Sequence, residues 1–179
     1  ALTVAIGFLV ATNWRRLSDF RASLNAGADA SVLPIFNTAS LVGFGAIVAA
    51  LPAFEAISAA MLDLGGGNPL VSVAVSVTAL SALTGSASGG MSIALDALGE
   101  TFVALAAATG TSLEAMHRVT AVASGALDAL PHNGAVITVL AIARLGHRES
   151  YFDIFMVAVV VPMIALVALI ALASVFGGF

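Results

Sequence analysis

The side chains best suited to chemistry lie together in one short segment between two apolar runs. Residues 128–134 read Asp-Ala-Leu-Pro-His-Asn-Gly, preceded by VTAVASGAL and followed by AVITVLAIA. Pro131 removes a backbone donor and costs about 3 kcal/mol in a helix interior. A helix broken in this way presents N–H groups that attract an anion and carbonyl groups that attract a cation. His132 and Asn133 add donors to this segment, and Asp128 adds an ionisable group.

A simpler explanation exists for the same residues, in which Pro131 only kinks a helix and Asp128 pairs with an arginine elsewhere. A kink needs one helix-breaking residue, whereas this segment also holds Gly134 and two polar side chains. Ionisable groups at membrane depth are usually functional. We therefore favour a functional site here over a structural kink.

A second polar segment interrupts the apolar sequence at residues 84–92, TGSASGGMS. Its glycines allow the backbone to approach a ligand closely. Its hydroxyls are neutral donors that can bind a carboxylate without holding it too tightly for release. A plain turn between two helices would have the same composition. The segment therefore indicates a binding site only in combination with residues 128–134. The hydroxyl residues are Thr84, Ser86, Ser88 and Ser92, and the glycines are Gly85, Gly89 and Gly90.

The composition is typical of a membrane protein. Hydrophobic residues make up 60% of the 179 residues and charged residues 9%, whereas soluble domains carry roughly 25% charged residues. Because the chain has no cysteine, it can form no disulfide and no Cys-ligated metal site. The three histidines are scattered, so we predict no metal and no cofactor. A net charge of −4 gives no indication of a nucleic-acid partner,.

The long apolar runs predict an all-α polytopic membrane protein. We expect residues 1–34 to comprise the end of a truncated transmembrane helix and a polar cytoplasmic connection. Residues 35–62 and 152–178 are predicted spans, and residues 118–143 a broken transmembrane helix,. Residues 69–108 read as two arms around the Gly/Ser segment, which favours a re-entrant helical hairpin over two tilted spans.

The distribution of arginine predicts the orientation. Five of the six arginines lie in residues 15–21 and 144–148, which are therefore predicted to be cytoplasmic. Residues 62–68 contain none, so the hairpin would begin and end on the outer side. We expect a multi-pass protein of the inner (cell) membrane, with its C-terminus on the periplasmic or extracellular side.

Other ionisable groups have simpler explanations. Asp96 and Glu100 are spaced i, i+4 on one helical face, and Glu55 lies near the end of its apolar run. Each could relay protons, but contact with water or an ion pair with a missing segment explains them more simply. We expect His147 to be solvated in a loop.

Four segments together resemble the C-terminal part of the gluconate permease (GntP-type) family of the ion transporter superfamily. The resemblance covers nearly all of the chain after about residue 34. It implies two inverted repeats, each with a re-entrant hairpin and a broken helix, in an elevator-type transporter that is usually a homodimer. This chain would be the second repeat. The segments are NTASLVGFGAIVAALPAFEAI, TGSASGGMSIALDALGE, MHRVTAVASGALDALPHNGAVITVLAI and HRESYFDIF.

Carried onto this sequence, the resemblance implies proton-coupled symport of gluconate or a related small hydroxy-carboxylate, and no enzymatic activity. The partners would be that substrate, the lipid bilayer and a missing N-terminal half that supplies the rest of the site. Asp128, with His132, would carry the coupling proton. The implied substrate-binding residues are Thr84, Gly85, Ser86, Ser88, Gly89, Gly90, His132, Asn133 and Gly134.

Three alternatives remain open at this point. Sodium coupling would use the carbonyls of the two interrupted elements. An intramembrane enzyme would use Asp128 and His132 as acid and base, although no nucleophile pair accompanies them. A non-catalytic membrane module would bind a solute without accumulating it.

Overall fold

A computed structural model describes residues 1–16 and 19–177; within them it leaves undescribed the side chains of residues 37, 38, 41, 42, 45, 48, 49, 55, 58 and 62. Every regular element in the described part of the chain is helical, which confirms the predicted all-α class. Two helical stretches there are long and apolar enough to cross a membrane, Ala87–Thr109 and His147–Phe176.

The chain divides into two compact units, Ala1–Phe36 and Asn37–Phe179. The first contains α1 (Leu2–Asn13), a 3-10 turn (Trp14–Arg16) and the beginning of α2 (Phe20–Ala49). All residues that carry the site belong to the second unit.

Two predicted boundaries near the N-terminus need correction. The polar connection is helical from Phe20, and α2 continues through Pro34 to Ala49. The span expected at residues 35–62 is divided, because α2 ends at Ala49 and α3 occupies Ala53–Leu64. Pro52 explains the division, since proline lacks a backbone donor and disfavours the helical conformation in the residue before it.

Helices α4 (Pro69–Thr84) and α5 (Ala87–Thr109) form a helical hairpin. Asn68 caps α4 by accepting a hydrogen bond from the Leu70 N–H at 2.9 Å, and a proline at the first helical position suits such a start. Gly85 ends α4 in a left-handed conformation, φ 59°. Ser86 then caps α5 by accepting from the Gly89 N–H at 3.1 Å. Two residues are therefore enough to reverse the chain.

Helix α4 is the most enclosed element, contacting α3, α5, α6 and α9. Two of its hydroxyls donate to carbonyls inside the protein: Thr84 to Leu80 at 2.8 Å, and Thr78 to Ala123 of α6 at 3.1 Å. The buried hydroxyl of Ser72, also on α4, has no hydrogen-bond partner among the described residues. Helix α5 is buried along one stripe only. Its buried residues recur every fourth position, at Gly90, Ala94, Leu98, Phe102 and Ala106, which is the spacing of one helical face.

The predicted broken helix consists of α6 (Leu113–Ser124) and α7 (Gly134–Ala143) with nine non-helical residues between them. We call residues 125–133 the break. Ser112 caps α6, and its hydroxyl donates to the Glu114 carboxylate at 2.6 Å. That hydrogen bond holds the pKa of Glu114 below its usual value.

The last span begins earlier than predicted. Helix α8 occupies His147–Phe155, a π-helical turn follows at Met156–Val160, and α9 runs from Val161 to Phe176. The Gly146 N–H donates to the Glu149 carboxylate at 2.8 Å, which fixes the start of α8. The predicted basic loop therefore shrinks to residues 144–146. The predicted end of the span at residue 178 lies outside the described residues.

The α3–α4 connection, the α5–α6 connection and the C-terminal end of α9 lie together at one end of the second unit. A common cleft of about 470 Å³ is lined by residues 66–70, residues 109–112, and Ala173, Ser174 and Gly177. The start of α4 and the end of α5 therefore lie beside the C-terminal end of α9. The turn between α4 and α5 lies at their opposite ends, next to the break.

Candidate functional site

The hairpin turn and the break lie against each other. We call Gly85 and Ser86 the tip. The side-chain amide of Asn133 donates to the Gly85 carbonyl at 2.8 Å, a contact between residues 48 positions apart in sequence. The two polar segments singled out in the sequence are therefore neighbours in the folded chain.

Asn133 joins three parts of the site at once. Besides its bond to the tip, its amide donates to the Asp128 carbonyl at 2.9 Å. Its amide oxygen accepts from the Val136 N–H at 2.8 Å, which caps α7. The residue is 6% exposed, and both of its N–H donors are used within the protein. In this structure Asn133 connects the tip, the break and α7.

His132 lies directly against the tip. A Cβ built on Gly85 would be 2.9 Å from its Cδ2 and 3.1 Å from its Nε2. The His132 side chain is otherwise exposed, so it combines a protein contact with access from outside. It can act as donor or acceptor beside the tip backbone.

Asp128 is half-buried within the break. Its carboxylate faces the backbone N–H of Ala87, the first residue of α5, and that of Ala129. A helix N-terminus carries a partial positive charge that favours an anion. The carboxylate, the start of α5 and the imidazole of His132 thus meet within one small region.

Of the remaining predicted site residues, some are buried in the protein and others are exposed. Thr84 is 1% exposed and bonds only to carbonyls of its own hairpin. Ser88 is exposed, while Gly90 is buried between the hairpin arms. The polar segment at residues 84–92 is shorter as a turn than expected, because residues 87–92 already belong to α5.

The other acids lie apart from this region or outside the described side chains. Asp96 and Glu100 lie on the exposed face of α5. The side chain of Glu55 lies outside the described residues. Among the described residues, no three His, Asp or Glu side chains come close enough to hold a metal ion.

Two residues of α8 reach the break: His147, which was expected to be solvated in a loop, and Tyr151, which was not among the predicted site residues. The Tyr151 hydroxyl donates to the Ala129 carbonyl at 3.1 Å, and His147 Nε2 lies 2.9 Å from the Pro131 carbonyl. His147, although exposed, is therefore not a free loop histidine. The i, i+4 spacing of the two residues was the available signal, but it does not reveal their partners.

Replacing Gly85 with alanine tests the fit between the tip and His132. Gly66 has nearly the same positive φ, 57° against 59°, but a Cβ there would meet nothing within 4 Å. We expect Gly66→Ala to lower the free energy of unfolding by about 1 kcal/mol, the cost of left-handed backbone. Gly85→Ala should cost about 2 kcal/mol or more, because it adds a clash.

Thermal unfolding of the two purified variants measures this difference. The additional loss in Gly85→Ala should shrink when it is combined with His132→Ala, which removes the clashing ring. Equal losses in the Gly66 and Gly85 variants would show that His132 does not pack on the tip.

The sequence was compared with known proteins. It is 44% identical over 161 residues to the uncharacterized transporter YxjC of Bacillus subtilis (strain 168), a match that includes 89% of this chain and 34% of that protein. The chain thus spans about a third of the length of the curated relative it matches. No family model and no solved structure matches. Similarity to a transporter suggests a transport function, and together with the apolar helices it suggests a membrane protein.

Proposed function

We propose that this chain is the C-terminal portion of a secondary active transporter that carries gluconate or a related small hydroxy-carboxylate together with a proton. The observation that carries the proposal is the hydrogen bond from Asn133 to Gly85, because it brings two interrupted helical elements to one place. Such junctions are where transporters bind their substrates. The similarity to a protein named as a transporter supports the same conclusion.

In this proposal the hairpin is re-entrant. Helix α4 has 16 residues and is therefore about 24 Å long, shorter than a hydrocarbon core of about 30 Å. Helix α5 is long enough to cross by itself, so re-entry is supported by the short α4 and by the contact of the tip with the break. The tip meets the break part-way along the path from α6 to α7, and both ends of the hairpin share one end of the unit. Backbone that lacks regular structure at membrane depth needs protein or water around it, and the tip and the break supply this for each other.

The proposed substrate site is the region around the tip, the first turn of α5 and His132. The Ser86 and Ser88 hydroxyls at the start of α5 would hold the substrate carboxylate, and His132 would contact a substrate hydroxyl. The Gly89 N–H already donates to Ser86 Oγ, so Gly89 would contribute close backbone approach rather than a donor. Asn133 and Gly134 would shape the floor of the pocket, with Asn133 acting mainly through its bonds to Gly85 and Asp128.

Asp128 would carry the coupling proton, with His132 beside it. Protonation removes a negative charge next to the place where the substrate carboxylate binds, so anion and proton would bind together. The translocated unit is then less charged, which lowers the free energy of crossing the membrane. The missing N-terminal half would supply the rest of the site, and two copies would form a dimer.

Uptake measurements test this proposal on the complete transporter polypeptide in proteoliposomes. We expect labelled gluconate to accumulate under an inward proton gradient without sodium. Asp128→Asn should abolish gradient-driven accumulation, because the amide cannot exchange the coupling proton. Asp96→Asn is the matched control and should accumulate gluconate like the wild type, since Asp96 is exposed on α5.

Each other outcome has a defined meaning. Accumulation by Asp128→Asn at the wild-type level would make Asp128 structural. Accumulation that needs a sodium gradient would replace proton coupling by sodium coupling. Recovery of a chemically altered solute would indicate an enzyme, and no uptake of any small carboxylate would refute the proposed function.

A further inference from the structure

Helix α8 contributes two hydrogen bonds to a part of the break that has no regular structure. Tyr151 donates to the carbonyl of Ala129 at 3.1 Å, and His147 Nε2 lies 2.9 Å from the carbonyl of Pro131. A carbonyl oxygen can only accept, so Nε2 of His147 carries the proton in this contact. Without these donors, two carbonyls released by the break would lose their protein partners.

The two donors are held in place by their own helix. Their ring centroids lie 5.9 Å apart with the ring planes tilted by 38°, and the Phe155 ring lies 6.2 Å beyond that of Tyr151. Residues at i and i+4 share one face of a helix. The start of α8 is fixed by the bond between Gly146 and Glu149, so the face that carries His147 and Tyr151 is presented as a unit.

The carbonyls that these donors hold lie among the proposed site residues. Ala129 follows Asp128, and Pro131 precedes His132. The break is also bonded to the hairpin through its own last residue, Asn133, which donates to the Gly85 carbonyl of the tip and to the Asp128 carbonyl. One hydrogen bond thus joins the break to the tip, and two hydrogen bonds join it to α8.

We propose that His147 and Tyr151 are positioning residues, which set the substrate affinity by holding the break backbone between Asp128 and His132. This inference rests on the proposed transport function for its substrate. They touch no substrate themselves. Losing either hydrogen bond lets residues 129–131 move, so Asp128 and His132 no longer face the tip in a fixed geometry.

The test compares three variants of the complete transporter polypeptide in proteoliposomes. Tyr151→Phe deletes one hydroxyl, and His147→Leu deletes the imidazole donor. Each should raise the KM for labelled gluconate about fivefold, the effect of one lost hydrogen bond, with little change in the maximal rate. His147→Gln keeps a donor at a similar reach and should restore most of the affinity. Phe152→Leu, at an exposed neighbouring position, is the control.

A second readout reports on the break directly and needs no substrate. Ala135 is exposed immediately after the break, and this chain has no cysteine. In a background without cysteines elsewhere, the thiol introduced by Ala135→Cys should react with a maleimide severalfold faster when Tyr151→Phe or His147→Leu is added. His147→Gln and Phe152→Leu should leave the rate near that of the parent.

The outcomes separate this inference from the proposed function. Unchanged KM and unchanged alkylation in both Tyr151→Phe and His147→Leu would overturn the positioning role. A lower amount of folded protein with unchanged KM and alkylation would overturn it equally, because that pattern indicates general stability. If the wild type transports neither gluconate nor any other small carboxylate, the proposed function fails while the alkylation rates still decide whether α8 holds the break.

Discussion

Replacing Gly90 with alanine should force the two arms of the hairpin apart. A Cβ on Gly90 would overlap the backbone nitrogen and Cα of Ser81, and would lie 2.6 Å from the carbonyl carbon of Leu80. These are backbone atoms, so no side-chain rotation relieves the overlap. We expect the free energy of unfolding to fall by about 3 kcal/mol, measured by thermal or denaturant unfolding of the purified protein, and uptake to fall with it.

Gly99 provides a matched control on the same helix. It lies in α5 nine residues later, and a Cβ there would meet nothing within 4 Å. Gly99→Ala should therefore leave packing unchanged and stabilise the helix by about 0.5–1 kcal/mol. A Gly90→Ala variant that unfolds at the wild-type temperature would show that the arms are not in contact at this point.

Asn133→Leu should be the most damaging single change in the candidate site. Leucine has a similar size but cannot form the three side-chain hydrogen bonds to Gly85, Asp128 and Val136. Buried polar groups left without partners cost about 1–3 kcal/mol each. We expect a loss of at least about 3 kcal/mol in the free energy of unfolding, and no gradient-driven uptake.

Asn133→Asp separates the two roles of this residue, which are the capping of α7 and the donation of hydrogen bonds to the Gly85 and Asp128 carbonyls. Aspartate keeps an acceptor for the Val136 N–H, so the cap of α7 survives. It has no donor for the carbonyls of Gly85 and Asp128, and its charge would face both oxygens. This variant should retain α7, read out by circular dichroism, yet lose uptake as completely as Asn133→Leu. Wild-type uptake by Asn133→Asp would show that the link to Gly85 is dispensable.

Local signals in the sequence indicate much of what is observed around the tip and α7. The composition predicts helices throughout, and a glycine followed by a serine is a common way to end one helix and begin another. Asn133, placed just before an apolar run, is a readable cap for α7. These features depend on neighbours within four residues, so no knowledge of the tertiary structure is needed.

The residue at which the break begins could not be predicted from local sequence signals. Sequence reasoning placed the interruption at Pro131, whereas α6 already ends at Ser124. The carbonyl of Ala123, at that end, accepts a hydrogen bond from Thr78 on α4. The partner lies 45 residues away, so local propensity gives no indication of it. The contacts of His147 and Tyr151 with the break were hidden for the same reason.

The enclosure of α4 has a consequence for how the protein is made. Helix α4 can pair with α5 as soon as both have left the ribosome, which buries the stripe that begins at Gly90. Its contacts with α6 and α9 must wait for segments that are synthesised later. Until then the Thr78 hydroxyl has no Ala123 carbonyl to bind, and two faces of α4 stay uncovered. When the hairpin first forms it is therefore an incomplete intermediate, and α9 is the helix that completes the burial of α4.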